Sequence, residues 1–213
     1  MKFIIITLLP EMVDSYLKSS MMWKATKDNL VDFEVLDLRK FGVGPRHTVD
    51  DTPYGGGDGM LLMIEPLKSA IDHSKTKLPK AKVLLMSPTK KIWNQAEARK
   101  YADDGNDYII VCGRYEGFDA RILKYIDEVI SVGKYILTGG ELPALTIIDS
   151  IVRLIPGVLG GEKSAEIESY TDGNNIEFPQ YTRPEVYDGE KVPKVLLSGN
   201  HAEIDKWRKN NSK

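Results

Sequence analysis

The sequence is short of the residues that mark several large protein classes. Its single cysteine, Cys112, sits in the apolar run YIIVCG. No disulfide framework is available, and a buried small hydrophobe is the plainer reading than a reactive thiol. The three histidines, His47, His73 and His201, do not stand at metal-ligand spacing from one another, which removes the usual zinc patterns. The run Gly55 to Gly59 lacks GxGxxG spacing and no GxxxxGK[ST] occurs, so neither common phosphate cradle is present. No window reaches the roughly 18 uninterrupted apolar residues of a membrane helix. With a mean hydropathy of -0.28, the chain is expected to be a soluble cytoplasmic protein. Net charge is nearly absent, at -2 from 29 basic and 31 acidic side chains over 213 residues. With 42% hydrophobic residues, a real core is affordable and disorder, collagen and coiled coil are excluded.

What is present points to an α/β protein. The N-terminal MKFIIITLLPEM resembles a secretory leader only as far as Pro10, Glu11 and Asp14, and no small-residue cleavage site follows; it reads as a buried first strand. Apolar runs of strand length recur at Phe3 to Leu9, Phe33 to Leu38, Val83 to Ser87, Tyr108 to Cys112 and Glu128 to Val132, with helical segments between them. Continuous apolar character, rather than alternation, predicts parallel strands covered on both faces. Pro10 is placed to open a helix with Val13, Tyr16, Leu17 and Met21 on its apolar side, and Lys90 to Asp104 reads as another, ended by Gly105. A third follows GGELP, with Leu145, Ile148, Ile151, Val152 and Ile155 at helical spacing and Pro156-Gly157 as its stop. Between His73 and Tyr101 eight basic residues face one acid, Glu97. A solvated face is the plainer reading of that run, and a contact for a polyanion the functional one.

Three glycine-dense loops follow or flank strand ends: TVDDTPYGGGDGM, CGRYEGFD and SVGKYILTGGELP. In open α/β sheets the carboxyl ends of the strands are where ligands bind, and glycine lets the backbone approach a ligand closely. Without a phosphate cradle, an adenosine compound lacking phosphates suits such a site. Ser87 and Ser150 lack the strand-turn-helix elbow of a nucleophilic serine, which leaves proton transfer by a carboxylate. Glu116 lies in a glycine-rich loop, and Glu166 and Glu168 lie in a polar segment after Gly157. Arg114 and Arg153 are the cations placed to steady developing negative charge.

TVDDTPYGGGDGM, CGRYEGFDARI, ILTGGELPALTIIDSIVRLIPGVLG and YTRPEVYDG, in that order, resemble the bacterial tRNA (guanine-37-N1)-methyltransferases of the SPOUT class. The resemblance runs from the first strand to about Trp207. It implies a trefoil-knotted α/β parallel-sheet domain at 1–159, a flexible linker at 160–175 and a small, shortened helical tRNA-binding domain at 176–213. It also implies a homodimer that uses S-adenosylmethionine, with a Mg2+ dependence for which no residue cluster offers a metal site. The methyl-donor site carries over onto Leu85, Ser87, Pro88, Gly113, Tyr115, Glu116, Val132, Gly133, Lys134, Tyr135, Ile136, Leu137, Gly139, Gly140 and Pro143. The catalytic arginine falls on Arg153 and the general base on Glu168, with Glu116 as a further catalytic candidate.

The pattern departs from the family at identifiable points. Glu168 stands where the family has Asp, adding a methylene to the base; Asp58 and Lys134 are atypical for their motifs; and the chain stops at Lys213, earlier than is usual. The shorter end implies fewer phosphate contacts and a shallower salt dependence of tRNA binding. Three readings follow: a methyltransferase with Glu168 as base and Arg153 on the guanine O6, a donor- and RNA-binding relative with weak or lost transfer, and a methyltransferase of the same fold with a changed RNA substrate, which the retained YGGG, Arg153 and YTRPEV disfavour.

Overall fold

The computed structural model describes residues 1–160, 168–170, 173 and 175–213. In chain order the first unit, Met1–Glu162, contains β1 (Lys2–Thr7), α1 (Pro10–Leu17), α2 (Ser20–Lys27) and β2 (Asp32–Asp37). A 3-10 turn at Leu38–Phe41 follows, then β3 (Asp50–Asp51) and β4 (Leu61–Leu62), α3 (Ile64–Lys77), β5 (Lys82–Ile92), α4 (Gln95–Asp103) and β6 (Tyr108–Val111). A 3-10 turn at Ala120–Tyr125, β7 (Glu128–Ser131) and α5 (Glu141–Val152) complete it. Five strands form one parallel sheet in the order β2-β1-β6-β5-β7, and each of the five apolar runs lies in one of them.

Strand geometry sends successive side chains to opposite faces, and the core divides accordingly. Phe3 and Ile5 pack with α1, α2, α4 and α5 on one side, while Ile4 and Ile6 pack with α3 on the other. Both faces are covered, which is why the runs carry almost no polar residues. Direct register across the sheet stacks Phe33, Phe3 and Tyr108, with ring centroids 5.6 Å apart at each step. Tyr101 and then Trp93 extend the stack at 5.3 and 5.0 Å.

Three helix boundaries differ from those expected. The first helix stops at Leu17 and a new one starts at Ser20, whose φ is +46°, so Met21 belongs to α2. Residues 90–92 continue β5 across a register shift between Met86 and Lys91, and α4 begins only after Asn94, whose side chain accepts from the Glu97 amide. α5 ends at Val152 with Arg153 as its cap, leaving Ile155 beyond the helix but still against the core. Three of the eight basic residues of the run sit on acidic partners: Lys77 pairs with Glu34, Lys82 with Asp104 and Lys91 with Glu97 and Glu128. Cys112 is buried, and burial pushes its thiol well up, out of the reactive range.

Asp104, at the edge of this core, is one acid-sensitive point of the fold. Burial alone would raise its carboxyl, but hydrogen bonds from Lys82, the Tyr108 hydroxyl at 2.6 Å and Asn106 outweigh it and hold the group below the ordinary 3.8. A lowered folded value means that its stabilisation is complete above the unfolded value and drains as pH falls through the folded one. Thermal melts between pH of about 3 and 7 are therefore expected to show a shallower acid limb for Asp104→Asn than for wild type. Equal limbs would remove Asp104 from the linkage.

The second unit, Lys163–Lys213, contains β8 (Val186–Tyr187), β9 (Glu190–Lys191), α6 (Lys194–Leu197) and α7 (His201–Asn211). Asp188 and Gly189, both at positive φ, make the two-residue turn that Asp-Gly favours between antiparallel strands. Phe178 and Tyr181 pack against Trp207 of α7, with Arg208 over the Phe178 ring. Glu168 is half-buried, and Glu166 lies outside the described residues.

Candidate active site

The three glycine loops converge. Met60, from the first, accepts a hydrogen bond from the Glu116 amide at 3.0 Å, and Leu62 exchanges backbone bonds of 2.9 Å with Gly117 and Asp119. Gly59, at φ +83°, lies so close that a Cβ there would stand 2.5 Å from Glu116 Cγ. The tip of that loop points outward, with Tyr54 fully exposed. Between the second and third loops, the Gly140 amide donates to the Gly113 carbonyl at 2.8 Å. A Cβ on Gly140 would come within 2.6 Å of the Gly113 nitrogen and 2.8 Å of Cys112 Cα, so only glycine permits this approach.

The second and third loops enclose a cavity of about 510 Å3 beyond the carboxyl ends of β6 and β7, closed on one side by β5 residues 86–89 and on another by the start of α5, while the first loop backs the second without lining the cavity. Every residue expected at the donor site lines it except Leu85 and Lys134. Leu85 is fully buried among the side chains beneath the sheet, and Lys134 is exposed. Tyr115 holds φ +57°, a conformation non-glycine residues adopt at a cost of order 1 kcal/mol or more and one that clusters at functional sites.

The wall also contains residues that motif reasoning left out: Met86, Thr89, Gly117, Phe118, Ile130, Ser131 and Thr138, with Arg114, noted earlier only as a cation. Phe118 pairs through its backbone with Leu62, so β4 backs the second loop at the cavity. Arg114 is held by Glu141 at 3.2 Å and by the Thr138 carbonyl at 3.2 Å.

The three catalytic candidates fall in different places. Glu116 lines the cavity, Arg153 caps the far end of α5, and Glu168 belongs to the second unit. Among the described residues, no group of three or more His, Cys, Asp or Glu side chains is arranged to hold a metal ion.

Comparison with known proteins agrees over the whole length. Residues 1–213 match the family model described as tRNA (Guanine-1)-methyltransferase TrmD. The tRNA (guanine-N(1)-)-methyltransferase of Phytoplasma australiense is 48% identical, over 98% of this chain and 84% of that protein. The Geobacter metallireducens protein of the same name is 45% identical, over 98% and 85% respectively. The crystal structure of tRNA (m1G37) methyltransferase from Aquifex aeolicus superposes with a TM-score of 0.80 at 38% identity, covering 97% of this chain and 87% of that one. The knotted α/β fold implied by the resemblance is accordingly the fold of this chain.

Proposed function

The chain belongs to the tRNA (Guanine-1)-methyltransferase family, and from that premise we propose that its convergent-loop cavity binds S-adenosylmethionine for transfer to N1 of guanosine 37. It is a methyltransferase acting on guanine N1 in tRNA. The observation that carries the donor assignment is the convergence of the end of β5 and two glycine-dense loops, those after β6 and β7, on one cavity of about 510 Å3, within the range of small-molecule sites.

The wall suits that ligand. Met86, Phe118, Ile130, Ile136, Leu137 and Pro143 offer apolar surface for an adenine and a thioether, while the loop glycines leave backbone groups accessible to polar atoms. When bound, the donor supplies a methyl group already activated by its sulfonium. The protein must then orient the base and take a proton from a weakly acidic ring nitrogen. Glu168 accepts the N1 proton and Arg153 neutralises the charge that develops on O6. A target base in the anticodon loop must leave its stack to reach the donor, as is usual for enzymes acting on a base.

The position of Arg153 supports a homodimer. Pro143 is the cavity residue furthest along α5, and Arg153 lies ten residues on, about 15 Å at helical rise. An arginine side chain falls well short of that distance, so Arg153 acts at the donor cavity of a second copy. No metal step is assigned: the described residues offer no group of three or more His, Cys, Asp or Glu side chains arranged to hold a metal ion. Among them, no helix is long and apolar enough to cross a membrane, and a tRNA substrate would be met in the cytoplasm.

The test is transfer of labelled methyl from S-adenosylmethionine to unmodified transcripts carrying G or A at position 37. Transfer to the G transcript alone is expected, and persistence with EDTA is expected if no metal takes part. Equal transfer to both transcripts would overturn the position assignment, and measurable donor binding without transfer would overturn the catalytic scheme.

A further inference from the structure

Glu141 is 1% exposed, and among the described residues it is the only acidic or basic side chain buried so deeply. It is also absent from the cavity wall, and the chemistry above does not use it. A carboxylate at the first position of a helix is favoured by the helix dipole, but burial of a charge still demands partners.

Its partners connect the loops of the cavity. Thr7, at the end of β1, donates its hydroxyl hydrogen to Glu141 Oε1 at 2.8 Å and accepts from the Leu9 amide at 2.9 Å. Arg114 Nε, in the loop after β6, lies 3.2 Å from Glu141 Oε2. The same guanidinium donates through Nη1 to the Thr138 carbonyl, in the loop after β7, at 3.2 Å. Gly139 runs beside this pair, where a Cβ would stand 2.5 Å from Glu141 Oε2 and 2.6 Å from Arg114 Nε. One buried carboxylate therefore ties the end of β1 to both loops that line the cavity. The rigid fork of arginine is what lets a carboxylate and a carbonyl be held together.

We propose that Glu141 is a positioning residue for the methyl donor: through Arg114 it sets the separation of the loops after β6 and β7. The proposal rests on the cavity being the donor site. Glu141→Gln keeps the size of the side chain and an acceptor for Thr7 but discards the charge that holds Arg114.

Equilibrium binding of S-adenosylmethionine and of unmodified tRNA, each measured alone by calorimetry, separates positioning from simple stabilisation. In Glu141→Gln the donor Kd and KM are expected to rise about tenfold or more, with tRNA affinity unchanged and kcat at saturating donor within about twofold. Arg114→Lys, which keeps the charge but loses the fork, is expected to show the same donor-selective loss and serves if Glu141→Gln does not fold. Unchanged donor affinity would overturn the proposal, as would a parallel loss of donor and tRNA binding that tracks a fall in Tm. A wild-type protein that binds no donor would instead overturn the donor-site reading.

Discussion

Glu168→Gln is expected to lower the single-turnover rate of methyl transfer by a factor on the order of 10²–10⁴, the usual contribution of a positioned general base. Donor affinity should be unchanged, because Glu168 is not part of the cavity wall. Glutamine matches glutamate in shape but cannot accept the N1 proton, so the loss reports proton transfer rather than packing. Glu168→Asp supplies the residue that the resemblance implies at this position. Because a misplacement of about 1 Å can cost about a hundredfold, the aspartate variant is expected to equal or exceed wild type. Rapid-quench measurement of labelled methyl on tRNA decides the point, and a glutamine variant with near-wild-type rate would remove Glu168 from the chemistry.

The second large effect is expected from two inactive variants mixed together. Gly140→Ala forces a Cβ to within 2.6 Å of backbone at Gly113; the loops must part and donor binding should be lost, along with about 1–3 kcal/mol of stability from overpacking. Arg153→Ala leaves the cavity intact and should cost a factor on the order of 10²–10³ through the loss of one charge-stabilising group. If each site combines the cavity of one subunit with Arg153 of the other, co-expressing the two variants produces heterodimers with one intact and one doubly defective site. Random pairing then returns about a quarter of wild-type activity. Activity no greater than the sum of the separate variants would place Arg153 and the cavity in the same subunit or remove Arg153 from catalysis.

Some of the fold is legible because the physics is local. The five strand runs are apolar along their length because helices cover both sheet faces, and that pattern needs no knowledge of topology. α5 reads equally well, since Leu145, Ile148, Ile151 and Val152 fall on one buried stripe. β5 misleads at its end, where the charged pair Lys90-Lys91 follows the apolar run. Those residues continue a strand only because β7 offers a partner after a register shift, a tertiary circumstance that no window of sequence contains. The basic run is similar, as its functional reading weakens once Glu34, Asp104, Glu97 and Glu128 are found beside its lysines.

By itself, the sequence determined the α/β class, five strands, the glycine loops as the place where a ligand would sit, and, through four ordered motifs, the family. These depend on periodicity, on conformations only glycine tolerates and on motif order, all written along the chain. Periodicity alone would have produced an ordinary open sheet, because knots are too rare to be inferred from strand order. Only the tertiary structure decided that Gly140 presses on Gly113, that Arg114 and Thr138 share a wall and that Glu141 is buried between β1 and both loops. Residues 7, 114, 138 and 141 are brought together by strand order across the sheet, and hydrogen bonds between such distant positions have no local signature for a sequence to display.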